Sequence, residues 1–207
     1  MALIVLAHGA GAGMHHQHMQ SLANALAEVQ LETLRFNFPF MEQSHKPPDK
    51  LAVCLATLAS AIDLGMKKAN GLPLLLAGHS FGGRMASHYI AQTQDTRCAA
   101  LIYFSFPLHG VGKPSASRAE HLPTIRIPQL FLTGTRDGMA DQLLLSQVIS
   151  SLPTATLIWL ESSDHGFKRL MGRQSSPGRG AAVSPTIYMT AAEATISWLV
   201  TLELTRR

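Results

Sequence analysis

The stretch that decides the fold is Leu72-Pro73-Leu74-Leu75-Leu76-Ala77-Gly78-His79-Ser80-Phe81-Gly82. An apolar run leads into a serine that has a glycine two positions before and two positions after it, and a helical pattern follows over 84–94. This order predicts a strand, a tight turn and a helix. The turn strains the backbone of Ser80, and side chains at 78 and 82 would collide with neighbouring elements, so glycine is needed there. The sequence therefore predicts a serine hydroxyl presented above the end of a buried strand.

Five further apolar runs surround this one and alternate with helical patterns. Counting all six, they span residues 2–7, 31–36, 72–77, 99–104, 128–133 and 155–160. Alternation of this kind indicates βα units and an α/β fold with a mostly parallel sheet. We predict a three-layer α/β/α sandwich with six strands in the order 2-1-3-4-5-6, forming one domain over residues 1–207.

Two stretches interrupt the alternation. Residues 105–127 contain prolines, glycines and His109, and leave room only for a short helix. Residues 168–185 are rich in glycine, serine, proline and arginine and predict a mobile loop. Both follow strands at the carboxyl edge of the sheet, where open α/β folds bind ligands. We expect His109 and Gly9 to contact a substrate at this edge. A plain solvent-exposed connection is the alternative for 105–127 and the favoured interpretation for 168–185.

Composition narrows the class of protein. Of the 207 residues, 46% are hydrophobic and 14% charged, which suits a sheet buried on both faces. The net charge of +4 is spread along the chain with few aromatic residues, so we expect no nucleic-acid partner. The two cysteines lie in apolar sequence, which favours reduced thiols and a cytoplasmic location. The apolar start reads as a strand and not as a signal peptide, and no run is long enough to predict a membrane span.

A serine needs an imidazole to accept its proton, and the imidazole needs a carboxylate to orient it. Asp137 follows the fifth apolar run and His165 follows the sixth, which gives the chain order Ser, Asp, His. Both therefore fall at the strand edge that carries Ser80. Asp141 is an alternative to Asp137, and Asp164 is expected to be a solvated loop residue. We predict a catalytic triad of Ser80, Asp137 and His165.

A negative charge that develops during acyl transfer needs two backbone N–H donors. One is predicted at Phe81, directly after the nucleophile. The other is predicted at Ala10, with Gly9 as the near alternative, because the loop His8-Gly9-Ala10-Gly11-Ala12-Gly13 follows the first strand.

The glycine loop, the histidine cluster and two single residues have simpler interpretations than ligand binding. The glycine loop lacks the spacing of a dinucleotide site, and no carboxylate ends the second strand. His15, His16 and His18 lack neighbouring ligands at metal-site spacing and indicate a helix start exposed to water, so no metal site is predicted. His79 is expected to be structural, and Arg84 is expected to form a structural ion pair.

Strand, serine turn, aspartate and histidine in this order resemble the α/β-hydrolase superfamily over almost the whole chain. The segments Leu6–Gly13, Gly82-Gly83-Arg84 and Phe106-Pro107-Leu108-His109 are similar to a small lidless branch of predicted hydrolases related to testis-expressed and KAT8-complex-type proteins. The resemblance implies the same triad in a minimal fold that lacks the superfamily's first two strands.

The expected function is a serine hydrolase of carboxylesterase type. It would cleave an ester, thioester or amide of a small acyl substrate through an acyl-enzyme, without metal or organic cofactor. Two alternatives remain open at this point: an acyltransferase that uses the same triad, and a non-catalytic scaffold or binding protein with a hydrolase fold. The sequence leaves the oligomeric state undetermined.

Overall fold

The fold is built on a sheet of six strands in a computed structural model that describes residues 1–169 and 186–205. The strands are β1 (Ala2–Ala7), β2 (Leu31–Phe36), β3 (Leu74–His79), β4 (Cys98–Phe104), β5 (Gln129–Gly134) and β6 (Ala155–Leu160). They lie in the order β2-β1-β3-β4-β5-β6, and each neighbouring pair is parallel. The predicted sheet and strand order are confirmed.

Helices cover both faces of this sheet. They are α1 (Gln17–Glu28), α2 (Pro39–Glu42), α3 (Leu51–Lys68), α4 (Phe81–Thr93), α5 (Gln142–Ser150) and α6 (Ile187–Thr201). The buried side chains of α1 and α6 form one core with one face of the sheet, and those of α3, α4 and α5 form a second core with the other face. The three-layer α/β/α architecture is therefore confirmed.

Alternating residues of the central strands point into different cores. In β1, Ile4 and Leu6 belong to the core under α1 and α6, whereas Leu3 and Val5 belong to the core under α3 and α4. Every residue of β1 is buried. A strand covered on both sides needs apolar residues at consecutive positions, which explains the uninterrupted apolar runs in the sequence.

The strand boundaries differ from the sequence prediction most clearly at β3. The apolar run begins at Leu72, but β3 begins at Leu74. Asn70 and Gly71 adopt positive φ angles of 46° and 82°, and the Leu72 N–H donates to the Ala69 carbonyl at 2.8 Å. Leu72 therefore closes the turn after α3, and an apolar side chain there packs without entering the sheet.

The two irregular segments were expected at the carboxyl edge. Within 105–127 the structure has two 3₁₀ turns, Ser117–Ala119 and Leu122–Thr124. Phe106, Leu108 and Leu122 in this segment are buried, so it contributes to the core as well as to the surface. Of the predicted 168–185 loop, residues 170–185 lie outside the described residues. In the described parts of the chain, none of the helices combines the length and the apolarity needed to cross a membrane.

Candidate active site

Ser80 lies in the turn between β3 and α4 with a backbone conformation that non-glycine residues rarely adopt. Its φ is 51° and its ψ is −116°. The Ser80 N–H donates to the Phe104 carbonyl of β4 at 3.1 Å, and its carbonyl accepts from the Arg84 N–H at 3.1 Å. These two bonds tie the strained residue to the neighbouring strand and to the first turn of α4, which keeps it in place.

The two glycines flanking Ser80 are required by close backbone packing. A Cβ at Gly78 would collide with the backbone of Gly82 and Gly83. A Cβ at Gly82 would lie 2.6 Å from the carbonyl oxygens of Ala7 and His8, where β1 ends. The start of α4 therefore rests directly on the end of β1, and this contact brings the loop after β1 next to the serine.

The side chains of Ser80, His165 and Asp137 form one hydrogen-bonded chain. The Ser80 hydroxyl lies 2.8 Å from His165 Nε2. On the other side of the ring, His165 Nδ1 lies 2.8 Å from Asp137 Oδ2 and 3.0 Å from Oδ1. Because the carboxylate can only accept, Nδ1 carries the proton and Nε2 is left free to accept the serine proton. The structure thus brings together the three side chains that the sequence placed on separate strand ends.

Asp137, and not Asp141, faces the histidine. The Asp137 side chain is fully buried, and its Oδ1 also accepts the Met139 N–H at 2.8 Å. Asp141 instead caps α5, since its side chain accepts the Leu144 N–H at 2.9 Å. The sequence favoured Asp137 because it is nearer than Asp141 to the end of the fifth strand, and in the structure it is Asp137 that lies beside His165.

The turn that carries His165 is held by Asp164. The Asp164 Oδ1 atom accepts the N–H groups of Gly166 and Lys168, each at 2.9 Å. The Asp164 N–H donates to the Lys168 carbonyl at 3.0 Å, which closes the turn. Asp164 was expected to be a solvated loop residue, and it instead fixes the backbone on both sides of the histidine.

The loop after β1 is anchored by His8, which is fully buried. Its Nε2 accepts the Phe38 N–H at 3.0 Å, and its Nδ1–H donates to the Gly9 carbonyl at 2.7 Å. Burial lowers the pKa of His8, which favours the neutral ring that this pair of bonds requires. In a trans peptide the carbonyl and the next N–H point in opposite directions, so the Ala10 N–H points away from His8.

Phe81 begins α4, where the first N–H groups of a helix lack partners within the helix. Its ring packs edge-on against Phe38 and Phe40, with ring centroids 5.6 and 5.8 Å apart. Ala10 and Gly9 line the same cavity as Ser80 and His165. The residues that the sequence proposed for oxyanion binding thus surround the serine.

His109, expected to contact a substrate, is buried with both ring nitrogens engaged. Its Nδ1–H donates to the Gly110 carbonyl at 2.8 Å, and its Nε2 accepts the Asp141 N–H at 2.9 Å. The residues that line the cavity beside Ser80 do not include it. His109 instead fixes the segment between Asp137 and α5, because its own N–H also donates to the Met139 carbonyl at 3.0 Å.

The rings of His79 and His18 pack against each other behind the triad, a contact that was not predicted from the sequence. His79 Nε2–H donates to the His165 carbonyl at 3.0 Å, and its ring lies 4.1 Å from that of His18, centroid to centroid. His18 Nδ1 lies 2.9 Å from the Tyr188 hydroxyl of α6. Burial lowers the pKa of His18 to about 4 and that of His79 well below its usual value. His18 is therefore packed inside the site and is not a helix-start residue open to water, whereas His15 and His16 are exposed.

The ion pair expected for Arg84 is absent from the part of the chain that the structure describes. No carboxylate of residues 1–169 or 186–205 comes within ion-pair distance of it, and its buried Nε has no hydrogen-bond partner. Arg118 and the stacked rings of His88 and His121 are its charged or titratable neighbours. The expectation for Arg84 was wrong because none of its charged or titratable neighbours among the described residues is a carboxylate.

A cavity of about 520 Å³ opens beside the serine. Its walls come from the loop after β1, the start of α1, the His165 turn and Tyr188. The volume is within the range of small-molecule sites. A second cavity, of about 630 Å³, lies between β2 and α3 and includes no member of the triad. Chemistry at Ser80 therefore depends on the first cavity. Among the described residues no cluster of histidine, cysteine and acidic side chains has the arrangement of a metal site.

Comparison with known proteins gives one family and several similar structures. The sequence model of a family described as an alpha/beta hydrolase domain matches residues 1–183. An alpha-beta serine hydrolase homologue from Coxiella burnetii is 20% identical with a TM-score of 0.66, covering 80% of this chain and 77% of that one. Est1E from Butyrivibrio proteoclasticus, with ferulic acid bound, is 15% identical with a TM-score of 0.69, covering 97% of this chain and 89% of that one. A serine hydrolase without a lid from Xanthomonas campestris is 22% identical with a TM-score of 0.61, covering 79% and 73%. These structural likenesses concern the fold.

Proposed function

The chain belongs to the alpha/beta hydrolase family, and on that basis we propose that it is a serine hydrolase that cleaves an ester of a small acyl substrate through an acyl-enzyme. The observation that carries this proposal is the continuous hydrogen-bonded chain from the Ser80 hydroxyl through His165 to Asp137. A serine without such a partner is a poor nucleophile at neutral pH.

In the first half of the reaction, the Ser80 oxygen attacks the acyl carbon while its proton moves to His165 Nε2. The ring becomes a cation, and the buried Asp137 carboxylate, 2.8 Å from Nδ1, stabilises it. His165 then gives the proton to the leaving group, which departs as an alcohol. The acyl group remains on Ser80 as an ester.

In the second half, water takes the place of the leaving group. His165 accepts a proton from the water as it attacks the acyl carbon, and then returns that proton to the Ser80 oxygen. The carboxylic acid is released and the serine hydroxyl is restored. The carbonyl oxygen carries a negative charge in both halves, and we assign its stabilisation to the backbone N–H groups of Phe81 and Ala10.

The test is covalent labelling with a fluorophosphonate probe, which reports an activated serine directly. We expect the wild-type protein to be labelled and Ser80→Ala to remain unlabelled. Ser163→Ala is a matched control, because Ser163 is a buried serine whose hydroxyl donates to the Leu160 carbonyl and, among the described residues, to no triad member. A folded wild-type protein that resists the probe, or a Ser80→Ala variant that still reacts, would refute the proposal.

Hydrolysis of p-nitrophenyl esters gives the second readout. Ser80→Ala should lose turnover of every ester hydrolysed by the wild type. Adding a second alcohol as an acyl acceptor then separates a hydrolase from an acyltransferase. A hydrolase releases the free acid at an undiminished rate, whereas an acyltransferase forms the new ester instead.

A further inference from the structure

The cavity beside Ser80 has an uneven distribution of charge. Among the described residues of its lining, Lys168 is the one lysine or arginine, and none is an aspartate or glutamate. Elsewhere the walls are mainly apolar, with Met19 and Met139 among the larger side chains. A pocket of this kind binds the apolar body of a ligand by burial and orients it through its few polar groups.

The carboxylates of Asp164 and Asp137, which adjoin the catalytic base, are already engaged. Asp164, on the same turn, accepts two backbone N–H groups through Oδ1. Asp137 lies behind the His165 ring and accepts from it and from Met139. The Lys168 side chain has neither an ion pair nor a hydrogen bond with the described residues. Its ammonium group is therefore available to a ligand.

The backbone that carries Lys168 is fixed relative to the catalytic base. Its N–H donates to Asp164 Oδ1 at 2.9 Å, and its carbonyl accepts the Asp164 N–H at 3.0 Å. Between them, Phe167 is buried, with a φ of 62°. Lys168 thus extends from the closed turn that presents His165, so the separation between its Cα atom and the triad is set by the fold.

Two of the histidine rings that line the cavity, those of His18 and His79, do not compete for this role near neutral pH. Burial lowers the pKa of His18 to about 4 and lowers that of His79 well below its usual value, so both rings are neutral there. Lys168 remains the one lysine or arginine among the described lining residues.

On the premise that Ser80 is the nucleophile of a hydrolase, we propose that the preferred substrate has an acyl chain that ends in a carboxylate, which pairs with Lys168. The apolar walls hold the methylene part of the chain, and the ammonium group holds its far end. The acyl carbon then lies at Ser80 and the alcohol part of the ester faces the solvent. A half-ester of a short dicarboxylic acid fits this description.

Two esters that differ only at the far end of the acyl chain test the proposal. In mono-p-nitrophenyl glutarate a carboxylate replaces the terminal methyl group of p-nitrophenyl pentanoate. We expect the wild type to prefer the glutarate ester. Lys168→Gln should lower kcat/KM for that ester about tenfold, mainly through KM, because a hydrogen bond to a charged group is lost. Hydrolysis of the pentanoate should not change.

Two further variants separate charge from packing. Lys168→Arg keeps the charge and should retain most of the preference. Lys67→Gln, at an exposed position near the end of α3, removes the same formal charge and should change neither ester. The effect of Lys168→Gln should also shrink at high salt, because screening weakens an exposed ion pair. A similar loss for both esters, or no loss for the glutarate, would overturn the proposal.

Binding without turnover makes the test independent of the chemistry. In the Ser80→Ala background, monomethyl glutarate should perturb NMR signals of the cavity residues at lower concentrations than methyl pentanoate does. Adding Lys168→Gln should remove the difference. If the wild type hydrolyses neither p-nitrophenyl ester, the proposed function fails, and the titration of Ser80→Ala still decides on the site: equal binding of monomethyl glutarate and methyl pentanoate refutes it.

Discussion

The contact between the start of α4 and the end of β1 can be tested with one methyl group. In Gly82→Ala the new Cβ would lie 2.6 Å from the Ala7 and His8 carbonyl oxygens, whereas ordinary contact begins near 3.4 Å. The helix start and the strand end would have to separate by about 0.8 Å. Ser80 precedes this helix and the oxyanion loop follows this strand, so the displacement falls between the nucleophile and the proposed donor at Ala10.

The size of the effect follows from that distance. Overpacking against backbone atoms typically costs about 1–3 kcal/mol of unfolding free energy. A displacement of about 1 Å within a catalytic arrangement can cost about a hundredfold in rate. We therefore expect Gly82→Ala to lower the urea midpoint and to reduce kcat/KM for a p-nitrophenyl ester about a hundredfold.

Gly110→Ala is the matched control. It makes the same substitution at a position where an added Cβ has nothing within 4 Å and where φ is not positive. It should alter neither stability nor rate appreciably. Wild-type activity and stability in Gly82→Ala, or equal losses in Gly110→Ala, would show that the close packing described here does not position the site.

Three further predictions concern the histidines and their partners. Asp137→Asn should reduce kcat by about three to four orders of magnitude while circular dichroism shows an intact fold. The amide cannot hold the Nδ1–H of His165 and favours the wrong tautomer of that ring. A loss below tenfold would count against Asp137 as the orienting group. His8→Ala should leave the Phe38 N–H without its acceptor and lower the free energy of unfolding in urea by about 1–3 kcal/mol. It should also lower kcat about a hundredfold, because the Gly9 carbonyl is released from the His8 ring. His45→Ala, at an exposed position, is the control, and an unchanged kcat in His8→Ala would refute this role. The pKa of His18 is about 4 in the folded protein, below its value in the unfolded chain, so the unfolded chain binds the proton at a higher pH. The free energy of unfolding should therefore fall as pH drops from about 6.5 to 4, by at most about 1.4 kcal/mol per pH unit for this group. His18→Gln should show a shallower dependence of this free energy on pH over that window, and an identical dependence would contradict a buried neutral His18.

Much of the fold could be predicted because its determinants are local. The runs at 2–7, 31–36 and 155–160 coincide with β1, β2 and β6. In β1, which is buried throughout, consecutive apolar residues are required because both faces of the strand are covered. The glycines around Ser80 indicated the turn, and the order of strand ends then indicated Asp137 and His165. Each of these inferences uses residues only a few positions apart.

The remainder depends on contacts between distant segments. His8 and His109 each follow the same pattern, a His-Gly pair in which Nδ1 bonds to the glycine carbonyl and Nε2 accepts an N–H from another loop. The sequence shows the pair but not the second partner, which lies about 30 positions away in both cases. For that reason His109 was assigned to substrate, although its ring nitrogens are already bonded to backbone atoms.

The backbone of Ser80 has a consequence for how such a chain changes over generations. Residues other than glycine at φ 51° and ψ −116° carry a cost of about 1–3 kcal/mol. Glycine would relieve most of it and would remove the proposed nucleophile. Selection for heat resistance alone would therefore favour an inert descendant, and a serine retained at this position across a lineage would record continued pressure to catalyse a reaction.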